Sequence, residues 1–123
     1  MELCECKFID EKTNIIFLGS PGAGKTHITI SIGIEACKRG KSVIFFTAAN
    51  LGNQLVEMQE EQELGRFLTK LSKVDLLIID ELGYVQLPDR VTQLMFQIFS
   101  ERYERGSILL NSNLEFKEWV NIF

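Results

Sequence analysis

Between Gly19 and Thr26 the chain reads GSPGAGKT, which satisfies Gly, any four residues, Gly, Lys, then Ser or Thr. Residues of these types at this spacing form a phosphate cradle. Gly22 and Gly24 lack Cβ, so the backbone can curl with several amide hydrogens pointing inward, and a helix opening directly after the loop adds the positive end of its dipole. Lys25 would reach the β- and γ-phosphates of a nucleoside triphosphate, and the Thr26 hydroxyl would ligate the accompanying magnesium. Gly19, Ser20, Pro21, Gly22, Ala23, Gly24, Lys25 and Thr26 are therefore the candidate ATP-contacting residues. His27, next in line in the first helical turn, is grouped with them as a packing or hydrogen-bonding residue rather than a catalyst.

A phosphate cradle hydrolyses nothing unless a metal is held and a water is aimed at the γ-phosphate. The run LLIIDE ends in two adjacent acids, Asp80 and Glu81. Acids at the tip of a buried parallel strand lie on the same sheet edge as the phosphate loop. Asp80 is accordingly the metal carboxylate, shared with Thr26, and Glu81 is the base that would activate water. A polar group at the tip of the neighbouring strand would hold the water or sense the γ-phosphate; Asn113 is preferred for this, with Asn111 as the alternative.

Several elements must position these groups. Ile15 to Leu18 is a short apolar run ending at the loop, as a first strand should be. After the loop, Ile28, Ile30, Ile32 and Ile34 alternate as they would in a strand, but a phosphate loop must open a helix, and Ile28, Ile32 and Ala36 share a helical face. That helix stops at Lys38, Arg39 and Gly40, a basic last turn followed by a glycine. Gly33 would let it approach the sheet closely. Ser42 to Phe46 reads as a second strand, two amphipathic helices follow from Thr47 to Lys73, and Leu76 to Ile79 has the unbroken apolar character of a strand buried on both faces. Asp89 to Gly106 is an amphipathic helix whose stripe is Val91, Leu94, Met95, Ile98, Phe99 and Tyr103, and Ser107 to Leu110 is a fourth strand. Alternation of strand and helix predicts the α/β class, with a parallel sheet covered on both faces.

Composition narrows the function. The chain has 123 residues and a net charge of −4, so it is one domain without the basic surface that grips nucleic acid unaided. No run is long and apolar enough for a bilayer, and MELCECKFIDEK does not resemble a secretory leader, so no membrane association and a cytoplasmic location are expected. Cys4, Cys6 and Cys37 lack the spacing of a disulfide framework, and with one histidine they do not make a zinc site.

Taken together, FLGSPGAGKTH, TAANL, DLLIIDELGY, RYERGS and NSNLEFKEW resemble the IstB-like ATP-binding proteins, helper ATPases of insertion-sequence transposition in the AAA+ superfamily and relatives of the helicase loader DnaC. The resemblance runs from Phe8 to Trp119, and DELGY favours IstB over DnaC. It implies a P-loop NTPase fold, a three-layer α-β-α sandwich, in which Gly19 to Thr26 is Walker A, Asp80 and Glu81 are Walker B and Asn113 is sensor 1. ATP and Mg2+ are the implied cofactors, and a transposase and DNA the implied partners of an ATP-dependent switch. Family members also carry an N-terminal extension, a last core strand, an arginine finger and a helical lid with a sensor 2 arginine, none of which this chain matches; Arg102 and Arg105 do not fall at the finger position. The expectation is thus a single partial AAA+ domain over residues 1–123, truncated at both ends. Its first strand would be left as an apolar edge that favours self-association, and ATP binding is better supported than turnover. A DnaC-like helicase loader and a non-hydrolysing nucleotide-binding remnant stand as alternatives.

Overall fold

A computed structural model describes residues 6–18, 24–83 and 86–112, with Lys25 described by its backbone alone. Four parallel strands form one sheet: β1 (Ile15–Leu18), β2 (Val43–Thr47), β3 (Leu76–Leu82) and β4 (Ser107–Ser112), in the spatial order β1-β4-β3-β2. Helix α1 (Lys7–Asp10) precedes the sheet, α2 (Lys25–Lys38) joins β1 to β2, α3 (Ala48–Glu60) and α4 (Leu64–Lys73) join β2 to β3, and α5 (Asp89–Arg102) joins β3 to β4. Because side chains alternate along a strand, β3 serves two cores at once. Leu76 and Ile78 pack with Leu109 under Ile32 and Ala36 of α2 and Phe8 and Ile9 of α1. Leu77 and Ile79 pack with Ile108 and Leu110 against Leu51, Leu55, Leu71, Met95 and Phe99 of α3, α4 and α5. The result is the expected three-layer α-β-α sandwich, and the continuous apolar run of β3 is explained by helices on both of its faces.

The strand-like alternation after the loop does form a helix, with one correction to its inner face. Thr29, Ile32 and Ala36 are fully buried, whereas Ile28 is 41% exposed. With 3.6 residues per turn the sheet-facing row passes through Thr29, Ile32, Gly33 and Ala36, and Ile28 falls to its side. Gly33 supplies the close approach: a Cβ there would stand 3.1 Å from Ile78 Cδ1. Gly33→Leu should accordingly lower stability by about 1–3 kcal/mol in urea unfolding, through overpacking against β3.

At its C-terminus α5 ends sooner than its amphipathic stripe suggests. The backbone leaves the helix at Tyr103 (φ −55, ψ 124), so Tyr103 is 59% exposed and is not a stripe residue. The buried residue is its neighbour Arg102, 1% exposed. The N-terminal residues, which carry no periodic signal, form part of the fold: the Ser107 hydroxyl donates to the Phe8 carbonyl (3.0 Å), and the Ile108 amide donates to Asn14 Oδ1 (2.9 Å). Both anchor the start of β4. Among the described residues no helix is long and apolar enough to cross a membrane.

Candidate nucleotide site

Where the strands end, α2 begins. Gly24 is the residue before the helix and has φ 78, a left-handed conformation that glycine adopts without strain, so the chain can turn sharply from the loop into α2. No side chain caps this end. Its first amides are therefore available to an anion, and the dipole of a 14-residue helix points its positive end the same way. Residues Gly19 to Ala23 and Asn113 lie outside the described residues.

Thr26, in the first turn of α2, donates its hydroxyl to Asp80 Oδ2 at 2.9 Å across 54 residues of sequence. The two residues assigned to the metal are thus side by side. Asp80 is 3% exposed, and each of its oxygens has a partner: Oδ1 accepts the Glu81 amide (2.9 Å) and the Asn111 side-chain amide (2.9 Å). A hydroxyl oxygen and a carboxylate oxygen at this separation are a donor set suited to magnesium, which takes one or two protein oxygens and completes its octahedron with phosphate and water. Among the described residues no cluster of three or more His, Cys, Asp or Glu side chains forms an all-protein metal cage.

Glu81 is set apart from Asp80 by its backbone. Its φ is 59, and the pairing of β3 with β4 shifts register between Ile79 and Leu82. This bulge breaks the alternation, leaving Glu81 exposed between buried Asp80 and Leu82. Its carboxylate faces solvent at the sheet edge. His27 is also exposed, and its carbonyl accepts the Ser31 hydroxyl (2.9 Å).

At the tip of β4 the described candidate is Asn111, the alternative to Asn113. Asn111 is 1% exposed, and both hydrogens of its amide are taken, by Asp80 Oδ1 and by Thr29 Oγ1 at 3.1 Å. They are not available to a water at the γ-phosphate. Thr29, which sequence reasoning passed over, donates its own hydroxyl to the Thr26 carbonyl (2.9 Å). The signal for it was a hydroxyl one turn after Thr26, on the same face of α2.

Over residues 1–123 the chain matches the family described as IstB-like ATP binding protein. The chain belongs to the IstB-like family. It is 47% identical over 121 residues to the protein named as the ATP-binding protein of insertion sequence IS5376 of Geobacillus stearothermophilus, covering 98% of this chain and 48% of that one. Against the corresponding IS21 protein of Pseudomonas aeruginosa it is 38% identical over 122 residues, covering 99% and 46%. The IstB-like chain thus spans about half the length of these curated relatives. Among solved structures it superposes on the replication initiator DnaA bound to AMPPCP and single-stranded DNA with a TM-score of 0.81 at 29% identity, covering 91% of this chain and 36% of that chain. It superposes on the DnaC helicase loader with a TM-score of 0.77 at 25% identity, covering 95% and 73%. The parallel four-stranded sheet with its covering helices is therefore that of an AAA+ P-loop NTPase core.

Proposed function

We propose that this chain is the ATP-binding AAA+ core of an insertion-sequence transposition helper, a switch that uses Mg-ATP to recruit or regulate a transposase on DNA in the cytoplasm. The observation that carries the reading is the 2.9 Å contact between Thr26 and Asp80, which brings the helix after the phosphate loop against the acidic tip of β3. The exposed amides at the start of α2 and Gly19 to Lys25 would hold the triphosphate, with Lys25 on the β- and γ-phosphates. Thr26 and Asp80 would hold magnesium, which, when bound, offsets phosphate charge and fixes the γ-phosphate for in-line attack. Glu81, exposed beside the buried Asp80, would take a proton from water, and Asn113 is the candidate to orient that water.

Names of relatives support the wider role: the curated ones are ATP-binding proteins of insertion sequences, and a structural neighbour carries single-stranded DNA. With a net charge of −4 this chain would rely on further segments or partners for DNA affinity. The exposed edge of β1, with Leu18 41% exposed, favours self-association. Calorimetry with ATP and magnesium tests the central claim. Wild type should bind, and Lys25→Ala should weaken binding by at least about 100-fold, or 2.7 kcal/mol; equal affinity in the two would refute the phosphate-loop assignment.

A second reading, a DnaC-like helicase loader, is favoured by the superposition on that loader over 95% of the chain. Co-purification with a replicative helicase rather than with a transposase would select it. Measurable ATP hydrolysis by this chain would exclude a nucleotide-binding remnant without turnover.

A further inference from the structure

Four hydrogen bonds at the top of the sheet close into a ring. Thr26 donates its hydroxyl to Asp80 Oδ2, Asn111 donates to Asp80 Oδ1 and to Thr29 Oγ1, and Thr29 donates back to the Thr26 carbonyl. The ring ties α2 to β3 and β4 at the one point where the metal ligands meet. Its centre is Asn111, the only member on β4. We infer that Asn111 is a positioning residue: its amide holds the Asp80 carboxylate in the orientation that faces Thr26, and through Thr29 it holds the first turn of α2 against that carboxylate. The inference rests on the Mg-ATP reading and deepens it.

Three features favour this over a packing role. A carboxylate can rotate about its last bond, and only oxygens fixed by outer partners present a constant geometry to a metal; Asn111 and the Glu81 amide do this at Oδ1, leaving Oδ2 directed at Thr26. An apolar β-branched residue would suit a buried strand position better than asparagine does. The fold nevertheless accepts a cost there, because Asn111 Oδ1 is buried with no hydrogen-bond donor among the described residues. Asn111 also does what aspartate could not, since a second carboxylate would repel Asp80 and offer it no proton.

The test separates metal from phosphate. Binding of a non-hydrolysable ATP analogue is titrated in EDTA and then at increasing magnesium, for wild type and Asn111→Ala, with thermal melts to verify folding. The magnesium concentration giving half of the maximal effect should rise about 10- to 100-fold in the variant, with affinity in EDTA unchanged within about twofold. An unchanged magnesium midpoint, or an equal loss in EDTA, overturns the inference while leaving nucleotide binding by the wild type intact. Absence of magnesium-dependent binding in the wild type overturns the underlying reading and this inference with it. Should Asn111→Ala fail to fold, the near-isosteric Asn111→Leu takes the same two readouts.

Discussion

Arg102→Met is expected to lower stability by about 3–5 kcal/mol, a drop of roughly 10–20 °C in the melting temperature of a domain this size. The guanidinium is buried between the end of α4 and the start of β4. Its Nη1 donates to the Leu71 carbonyl (2.6 Å) and the Val74 carbonyl (2.9 Å), and its Nη2 donates to the Ser107 carbonyl (2.7 Å). The first two belong to the C-terminal end of α4, where carbonyls have no partner within the helix. Methionine fills the space and leaves three inward-facing carbonyls without donors, each costing about 1–3 kcal/mol before any relief by water. Burial pushes the Arg102 pKa down to about 10, opposed by the nearby charge of Asp75, and at neutral pH the group stays charged. Arg102→Lys should recover only part of the loss, since a point charge cannot span three carbonyls as the planar fork does.

Gly106 belongs to the same device. A Cβ there would lie 2.6 Å from Arg102 Nη2 and 3.0 Å from the Val74 carbonyl. Gly106→Ala should therefore destabilise the wild type by displacing the guanidinium, and should cost less in the Arg102→Met background. Additive losses in that double-mutant cycle would show that the two residues do not act together. The burial of Arg102 also excludes it from reaching across an interface to a phosphate, in keeping with the sequence reading that withheld such a role from it.

Glu81→Gln is expected to cut ATP turnover by about 10²- to 10⁴-fold with nucleotide affinity changed little, since it removes the proton acceptor and keeps the shape. A hydrolysis assay beside a calorimetric titration checks both halves; turnover at the wild-type rate would remove Glu81 from the role of base. The backbone adds a second, independent expectation. At φ 59 a glutamate sits in the left-handed region, which costs a residue with a Cβ about 1–2 kcal/mol. The Asp80 carboxylate, accepting the Glu81 amide, helps hold it there. Glu81→Gly should thus be more stable than Glu81→Gln by about 1 kcal/mol in denaturant melts, while being equally inactive. Strain retained at Glu81 and released by its removal is what a site selected for chemistry rather than stability would show.

Much of this arrangement could be read from the residues in order. The helix start after GSPGAGKT, the apolar run before it and the pair of acids after LLII each carry a local signal, and each fell where expected: α2 opening at Lys25, β1, and the tip of β3. The limits of α2 were legible because Lys38, Arg39 and Gly40 are a local stop signal. Less legible were features that depend on what another element does. Tyr103 fitted the apolar stripe of α5 by spacing, yet the turn at its own position takes it to solvent, and the buried place goes to a charged residue whose partners lie 28 and 31 residues earlier. Ile28 fitted the face of α2 by its four-residue step, but which face turns inward depends on where β3 and β4 pass beneath the helix.

The nucleotide site shows the same division. By itself the sequence determined the fold class and the place of the Asp80–Glu81 pair, because alternating strand and helix patterns and acids at the end of a buried strand are written within a few consecutive residues. Only the tertiary structure decided that Asp80 meets Thr26, that Glu81 stands apart on a left-handed bulge, and that the Asn111 amide turns inward to Asp80 and Thr29. Those facts follow from strand register and helix placement, which bring residues 26, 80 and 111 within hydrogen-bonding distance, and no local pattern encodes a distance across the sheet.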